Sequence, residues 1–462
     1  MSDTLLTHAR NAFNHREWAA LIQDIREFLA QHRENHLAIN AQTNGGNSLH
    51  SSASESSARE AFLQLAIQAL LLVDFQTRWE LVSLIAKFGP IAIAPLMALM
   101  GQFQLEETAP LPSDHGVSPS PTLAPSEEEA EDWDLLWFIA RILGNIQHPD
   151  AITALIQILQ TSPSEDVVTA AVMALAQQGI AAIAPLNQLI NHDATKLVAT
   201  QALAQIFAKD PNVELRDTLI TITQDPEPSV REVVIEALSH SHQTPVTDIL
   251  ITASNDFAAS VRRAAIIGLG MRAKVCEASI LPTILSALEP RLWDLDTEVR
   301  RQTAIALGRV QTLDSAQLLF TALIAEDFPT MLKPDVVRAL IWTNTAAGLD
   351  RLNQYLCHHH PKAPIYQEIA IMLGRVESTQ LYAQATHILL NLLANHGITQ
   401  QSVIIKQSIA MSLGQLKQVE AEPALIQLSQ DEDERVKLHA IAALKTLKGE
   451  WTERSSYPAS PE

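Results

Sequence analysis

The stretch "TEVRRQTAIALGRVQTLDSAQLLFTALI" sets the hydrophobic pattern for much of the chain. Val299, Thr303 and Ala306 fall on one side of a 3.6-residue helix, with Ala304 and Leu307 beside them. Gly308 near the end permits either a left-handed cap or the close approach of a neighbouring helix. After a short turn, "SAQLLFTALI" carries a second apolar face, so the pattern predicts helix, turn, helix. The string "ASVRRAAIIGLG", Ala259 to Gly270, is nearly the same motif one unit earlier. With Val299, Leu307 and Gly308 as anchor, the frame recurs at Leu135/Gly144, Val167/Leu175, Val230/Leu238, Val261/Gly270, Ile365/Gly374, Ile405/Gly414 and Val436/Leu444. It recurs more loosely near Leu203 and near Trp342. Spacings of about 28 to about 40 residues are those of two-helix repeats, which must stack to bury both sides of each pair. The fold class predicted is all-α, an α-solenoid.

The pattern also marks where repeats stop. Residues 1–36 form an N-terminal helical segment, with Phe13, Trp18, Leu21, Ile25, Phe28 and Leu29 at helical spacing. Residues 37–58 are rich in Ser, Asn and Gly, have no face to bury and are expected to be a flexible linker. Residues 59–101, around "ELVSLIAKFGPIAIAPLMALM", make a divergent first helical repeat region. Residues 102–132 are expected to be a disordered acidic, Pro-rich insert, because residues 107–134 hold five prolines and no Lys or Arg. The repeat solenoid is expected over 133–449, followed by a disordered tail at 450–462.

Composition narrows the function classes. Only 15 glycines in 462 residues are too few for an all-β chain of tight turns. A net charge of −20 turns nucleic acid and anionic membranes away from the surface as a whole, and favours a basic patch on a partner protein. Two cysteines, Cys276 and Cys357, make neither a disulfide framework nor a four-thiolate site, which fits a reducing compartment. The N-terminus lacks an apolar signal core, and the run Gly89–Gly101 holds two prolines and is too short to span a bilayer. A soluble cytoplasmic protein without membrane insertion is expected.

Charged residues travel with the repeat. Arg231, Arg262 and Arg300 each follow the anchoring valine, and Lys437 and Lys406 fill the slot later. Six residues ahead of Arg231, Arg262, Arg300 and Lys437 stand Asp225, Asp256, Asp294 and Asp431. Such an Asp accepts N–H bonds at a helix start, or a guanidinium from its own or the next unit. These eight residues are therefore expected to form a structural ladder. The second arginines, Arg263 and Arg301, have no acid at that offset. Arg263, Ile267 and Met271 share one helical face, as do Arg301, Ile305 and Arg309. Cationic and apolar side chains mixed on one face suit protein recognition, and these six are the candidate partner-binding residues. A merely solvated surface is the alternative.

The strings "VRRAAIIGLG", "VRRQTAIALGRV", "IARILGNIQHPDAITALIQIL" and "LGQLKQVEAEPALIQLSQDEDERVKLHAIAALKTL" resemble the HEAT-repeat superfamily, and within it the phycobilisome-lyase HEAT-like branch. The resemblance runs from Leu135 to Lys448 and is weaker at 195–225 and 334–361. It implies an armadillo/HEAT-type right-handed superhelix of stacked helix pairs. It also implies either a non-catalytic scaffold or adaptor gripping a partner protein along its concave surface, or a bilin lyase/isomerase or chaperone-like subunit acting on antenna proteins. A bilin would then be a transient ligand and a phycobiliprotein the partner; the scaffold needs no cofactor. A related di-iron hydroxylase takes its ligands from His-Glu pairs, and none of the 16 histidines here precedes a Glu.

Other chemistry is thin. Cys357, His358, His359 and His360 include metal-ligand types, but consecutive residues beside Pro361 do not all face one ion, so no metal site is assigned. The "HSH" at 240–242 sits at a helix end, and Trp133 and Trp137 are read as capping the apolar end of a stack. Neither a Gly-rich phosphate loop nor a nucleophile elbow occurs, and no catalytic residue is assigned.

Overall fold

The computed structural model describes residues 2–41, 51–106, 127–241, 245–359, 361–394 and 402–448. Among these the chain is helix and turn, with no strand. It forms two compact units, Met1–Ile222 and Thr223–Glu462. The repeat region expected over 133–449 includes residues of both units.

The first unit comprises α1 (Ser2–Asn14), α2 (Trp18–Ala41), α3 (Ser51–Leu72), α4 (Phe75–Lys87), α5 (Ile93–Glu106), α6 (Glu127–Gly144), α7 (Pro149–Thr161), α8 (Glu165–Gln178), α9 (Ile183–Leu189), α10 (Asp193–Lys209) and α11 (Val213–Ile222). Helices α2, α4, α6, α8 and α10 pack each against the next. The N-terminal segment is two helices, turned at Arg16 (φ 58°) and pinned where Phe13 stands edge-on to Trp18 at 5.8 Å. Helix reaches into both ends of the expected linker: α2 runs on to Ala41 and α3 starts at Ser51. The cause at the second end is packing. Ala58, Phe62 and Ala66 are buried, and Phe62 stacks on Phe28 of α2 at 4.3 Å. That anchored face supports the Ser/Ala-rich turns ahead of it. Likewise α5 extends to Glu106, and α6 begins at Glu127 with a run of acids that favours a helix N-terminus. The rest of the expected linker and insert, 42–50 and 107–126, lies outside the described residues, as does the tail from 449. The window Glu165–Leu189 is long and apolar enough to cross a membrane, yet 56% of it is buried inside the protein, as suits a core segment.

The second unit comprises α12 (Pro228–Ser239), α13 (Pro245–Ala253), α14 (Ala259–Arg272), α15 (Leu281–Leu288), α16 (Thr297–Val310), α17 (Leu313–Ile324), α18 (Lys333–Trp342), α19 (Ala346–His358), α20 (Ala363–Leu373), α21 (Tyr382–Ala394), α22 (Val403–Leu416), α23 (Glu422–Leu428) and α24 (Glu434–Leu447). The first helix of each pair, α12, α14, α16, α18, α20, α22 and α24, packs on the first helix of the next. Val299, Thr303, Ala304, Ala306 and Leu307 are all buried in these seams. Each fully buried Leu contributes roughly 1.5–3 kcal/mol. Of the two jobs open to Gly308, the structure gives it close approach: an added Cβ would stand 2.8 Å from the Ala339 carbonyl oxygen of α18. The left-handed cap of α16 is Gln311, at φ 57°.

Candidate protein-binding face

The turns that lead into α12, α14, α16 and α24 are built by aspartates. Asp256 accepts an N–H bond from Ala258 (2.8 Å), Asp294 from Asp296 (3.0 Å) and Asp431 from Asp433 (3.0 Å). Asp225 does the same for Glu227 at 2.9 Å. The Asp256, Asp294 and Asp431 turns present their remaining carboxylate lone pairs to the preceding repeat. Arg231 donates from Nε and Nη2 to both oxygens of Asp256, at 2.8 and 2.7 Å, and from Nη1 to the backbone carbonyl of Asp225 at 2.7 Å. Arg262 repeats this one unit on, with both oxygens of Asp294 at 2.8 and 2.6 Å and the Asp256 carbonyl at 2.8 Å. Each guanidinium therefore reaches the side chain of the next unit's Asp and the backbone of its own.

The carboxylates respond to this. Burial alone pushes the Asp256 and Asp294 carboxyls up. The arginine and backbone hydrogen bonds, with the nearby guanidinium charges, outweigh burial and hold both below the usual carboxylate range.

The ladder changes at its ends. Arg300 donates to the Asp294 carbonyl rather than to its carboxylate, which Arg262 and Arg291 occupy. Lys406, not Lys437, takes Asp431, at 2.7 Å, while Lys437 turns to Glu434 at 2.8 Å in its own helix. For Arg231 and Arg262 the offset of six finds the Asp whose backbone carbonyl the guanidinium holds, while the carboxylate contact runs to the following unit.

The second arginines are not free of acids. Arg263 meets Glu232 of α12 at 3.2 Å, and Arg301 meets Glu298 of its own helix and Asp335 of α18. These acids escape a fixed offset because they stand on flanking helices or a different turn. Arg338, absent from the sequence-level set, extends the row to Asp335 and Glu368. All six candidate partner-binding residues are half-buried, not fully exposed. Arg263, Ile267 and Met271 line a groove of about 390 Å³ with Glu232, Glu236 and His240 of the α12 repeat. Arg309 lines a second groove of about 330 Å³, alongside Lys274, Trp342 and Arg375. The last three are missing from the sequence-level set. Trp342 holds the frame position of Arg309, ten residues after its buried anchor Leu332, but its unit matches the repeat loosely.

The remaining sequence candidates resolve simply. Trp137 stacks on Trp79 at 5.6 Å with Arg141 over both rings, so it joins α4 to α6 within the row instead of capping an end; the Trp133 side chain lies outside the described residues. His240 follows the last turn of α12. His359 stacks on Tyr355 at 5.0 Å, Cys357 is exposed, and His360 lies outside the described residues. Among the described residues no three His, Cys, Asp or Glu side chains are grouped to hold a metal ion.

Helix pairs repeated in register, with first helices packed in a row, define an α-solenoid of the HEAT/armadillo class. The chain carries HEAT repeats: a family model for HEAT repeats matches residues 121–206, and one for a HEAT repeat associated with sister chromatid cohesion matches residues 202–238. The curated proteins give no match. Among solved structures, one of Kap95p with RanGDP aligns with a TM-score of 0.50 at 12% identity, covering 98% of this chain and 68% of the other. A Kap121p mutant aligns at 0.42 and 13% identity, covering 96% and 53%. Human deoxyhypusine hydroxylase in complex with glycerol aligns at 0.25 and 17% identity, covering 65% and 97%. At 12% identity the likeness to the Kap95p structure is one of fold.

Proposed function

We propose that the protein is a non-catalytic scaffold or adaptor that holds a partner protein along the first-helix row of its second unit, and that it works in the cytoplasm. One observation carries this reading: Arg263, Ile267 and Met271, with α12, form a groove of cationic, acidic and apolar side chains on a regular repeat. Half-buried arginines and aliphatic side chains together are what protein interfaces use as anchors. The Kap95p structure, a protein described as binding RanGDP, offers the same fold in a partner-binding role. Charge reversal at Arg263 and Arg301 tests the reading. It should weaken capture of the partner from native lysate, and undiminished capture overturns the assignment of this face. The chromophore-lyase alternative has its own test. Added bilin should give no protein-dependent change in absorbance or fluorescence, and such a change would favour the lyase.

A further inference from the structure

The second groove differs from the first in how its cations are used. Arg231, Arg262, Arg263, Arg301 and Arg338 are each held by a carboxylate. Lys274, Arg309 and Arg375 all line the second groove, and none of the three enters an ion pair among the described residues. Glu377 is the one acid in the lining. Three cations left facing one groove, on a chain of net charge −20, are a local reversal of the protein's field.

The groove has an apolar side too. Trp342 is 44% exposed there, beside Val376 and Ile341. Its frame is pre-formed. Gln311 and Asn344 turn the chain in the left-handed conformation after α16 and α18, and Asn344 accepts an N–H bond from Ser378 at 3.2 Å, tying the end of α18 to the turn after α20. A cation at a helix C-terminus ordinarily offsets the dipole there. That role alone explains neither the convergence of three of them nor the exposed indole beside them.

We propose that this groove, across the C-terminal ends of α14, α16, α18 and α20, binds an acidic peptide segment of a partner protein. Its carboxylates pair with Lys274, Arg309 and Arg375, and one apolar side chain lies on Trp342. The volume of about 330 Å³ is at the small end of ligand pockets, which run roughly 300–1,000 Å³, and suits a few side chains, not a folded domain. A polyanion is disfavoured because the rest of the surface repels it. The inference rests on reading the first-helix row as a partner surface, and it supplies the chemistry of what is bound.

The test is fluorescence anisotropy of a fluorescein-labelled Gly-Asp-Glu-Leu-Asp-Glu-Gly peptide titrated with the full chain. Saturable binding is expected, absent for the matching Gly-Asn-Gln-Leu-Asn-Gln-Gly peptide and weakened by salt. Arg309→Glu with Arg375→Glu should lower affinity by at least about tenfold, and Trp342→Ala by a few-fold, with unchanged circular dichroism melts. The proposal is overturned if the acidic peptide does not bind, if the neutral one binds equally, or if the double variant binds as the parent does. Equal affinity for a labelled oligothymidylate of the same length also overturns it, since the groove would then take any polyanion. The wider reading fails separately. If Arg263→Glu with Arg301→Glu spares both partner capture and peptide binding, the stripe is wrong and the groove stands.

Discussion

Helices α6 and α14 hold the same place in the repeat, one in each unit, yet they join their neighbours by different chemistry. Trp137 and Arg141 of α6 occupy the frame positions of Arg263 and Ile267 of α14, so cation and apolar side chain have exchanged places. In the first unit the junction is aromatic: Trp137 stacks on Trp79 and Arg141 lies 4.7 and 4.9 Å from the two ring centres. In the second it is ionic: Arg263 pairs with Glu232 of α12, and Arg262 makes a buried bidentate pair with Asp294 ahead of α16. The seam beneath is common to both. An added Cβ on Gly144 would stand 2.7 Å from Ala174 Cβ, and one on Gly270 would stand 2.8 Å from Ala306 Cβ. Small and aliphatic residues set the stacking, and the rim chemistry is free to vary.

If the seam is shared, its largest cost should be shared. Leu143→Ala and Leu307→Ala, at the same frame position and both fully buried, should each cost about 4 kcal/mol, within the range of roughly 2–5 for such cavities. Urea unfolding monitored for each unit checks this. A small loss at only one site would mean that the two seams differ.

The ladder should separate the units. Asp294→Ala removes the bidentate partner of Arg262 and leaves a largely buried guanidinium without its counter-charge, at a cost of about 3 kcal/mol. Hydrogen exchange should show the loss in α14 and α16 and spare α6. Protection lost equally in both units would mean that the ionic ladder does not act locally on α14 and α16.

Acid should act on the second unit in the same way. Asp256 and Asp294 have folded pKa values below the unfolded carboxylate value of roughly 4. Their stabilisation is complete above that unfolded value and is lost as pH falls through the folded one. Exchange protection around α14 and α16 should therefore decline below about pH 4. In the Asp256→Asn, Asp294→Asn protein that component of the pH dependence should vanish.

The aromatic junction should yield the smallest effect. Trp79→Ala removes a ring stack, an edge contact to Phe138 and a cation–π contact at a partly exposed site, for about 1 kcal/mol. A thermal melt resolves it, and a cost matching that of Asp294→Ala would make the two rims equivalent.

Much of this was legible in the sequence because a repeat states its frame many times. Val299, Leu307 and Gly308 locate the seam, and the same spacing recovers α6, α14, α20, α22 and α24. Partners were less legible than positions. A ladder contact runs from one repeat to the next, 25 residues on for Arg231–Asp256 and 32 for Arg262–Asp294, so an offset inside one repeat pairs Lys437 with Asp431, which Lys406 holds, and misses Glu434. Lys274, Trp342 and Arg375 come together only because the ends of α14, α18 and α20 stack, and no linear spacing expresses that. The helical start of α3 in a Ser-rich stretch was hidden as well, since composition there argues for coil while Phe62 and Ala66 downstream hold the helix in place.

Adjacent arginines divide the work, Arg262 holding one repeat to the next and Arg263 facing outward. The Arg262 side chain is 11% exposed against an Asp294 that is 3% exposed, whereas Arg263 and Glu232 are 41% and 32% exposed. Urea denaturation of Arg262→Ala and Arg263→Ala, run side by side on the full chain, tests it most directly. Arg262→Ala should lose about 3 kcal/mol, by taking the bidentate partner from the buried Asp294 and leaving it Arg291 alone among the arginines. Arg263→Ala should lose less than about 1 kcal/mol, as half-exposed ion pairs do. Equal losses, or the larger loss at Arg263, would contradict the division.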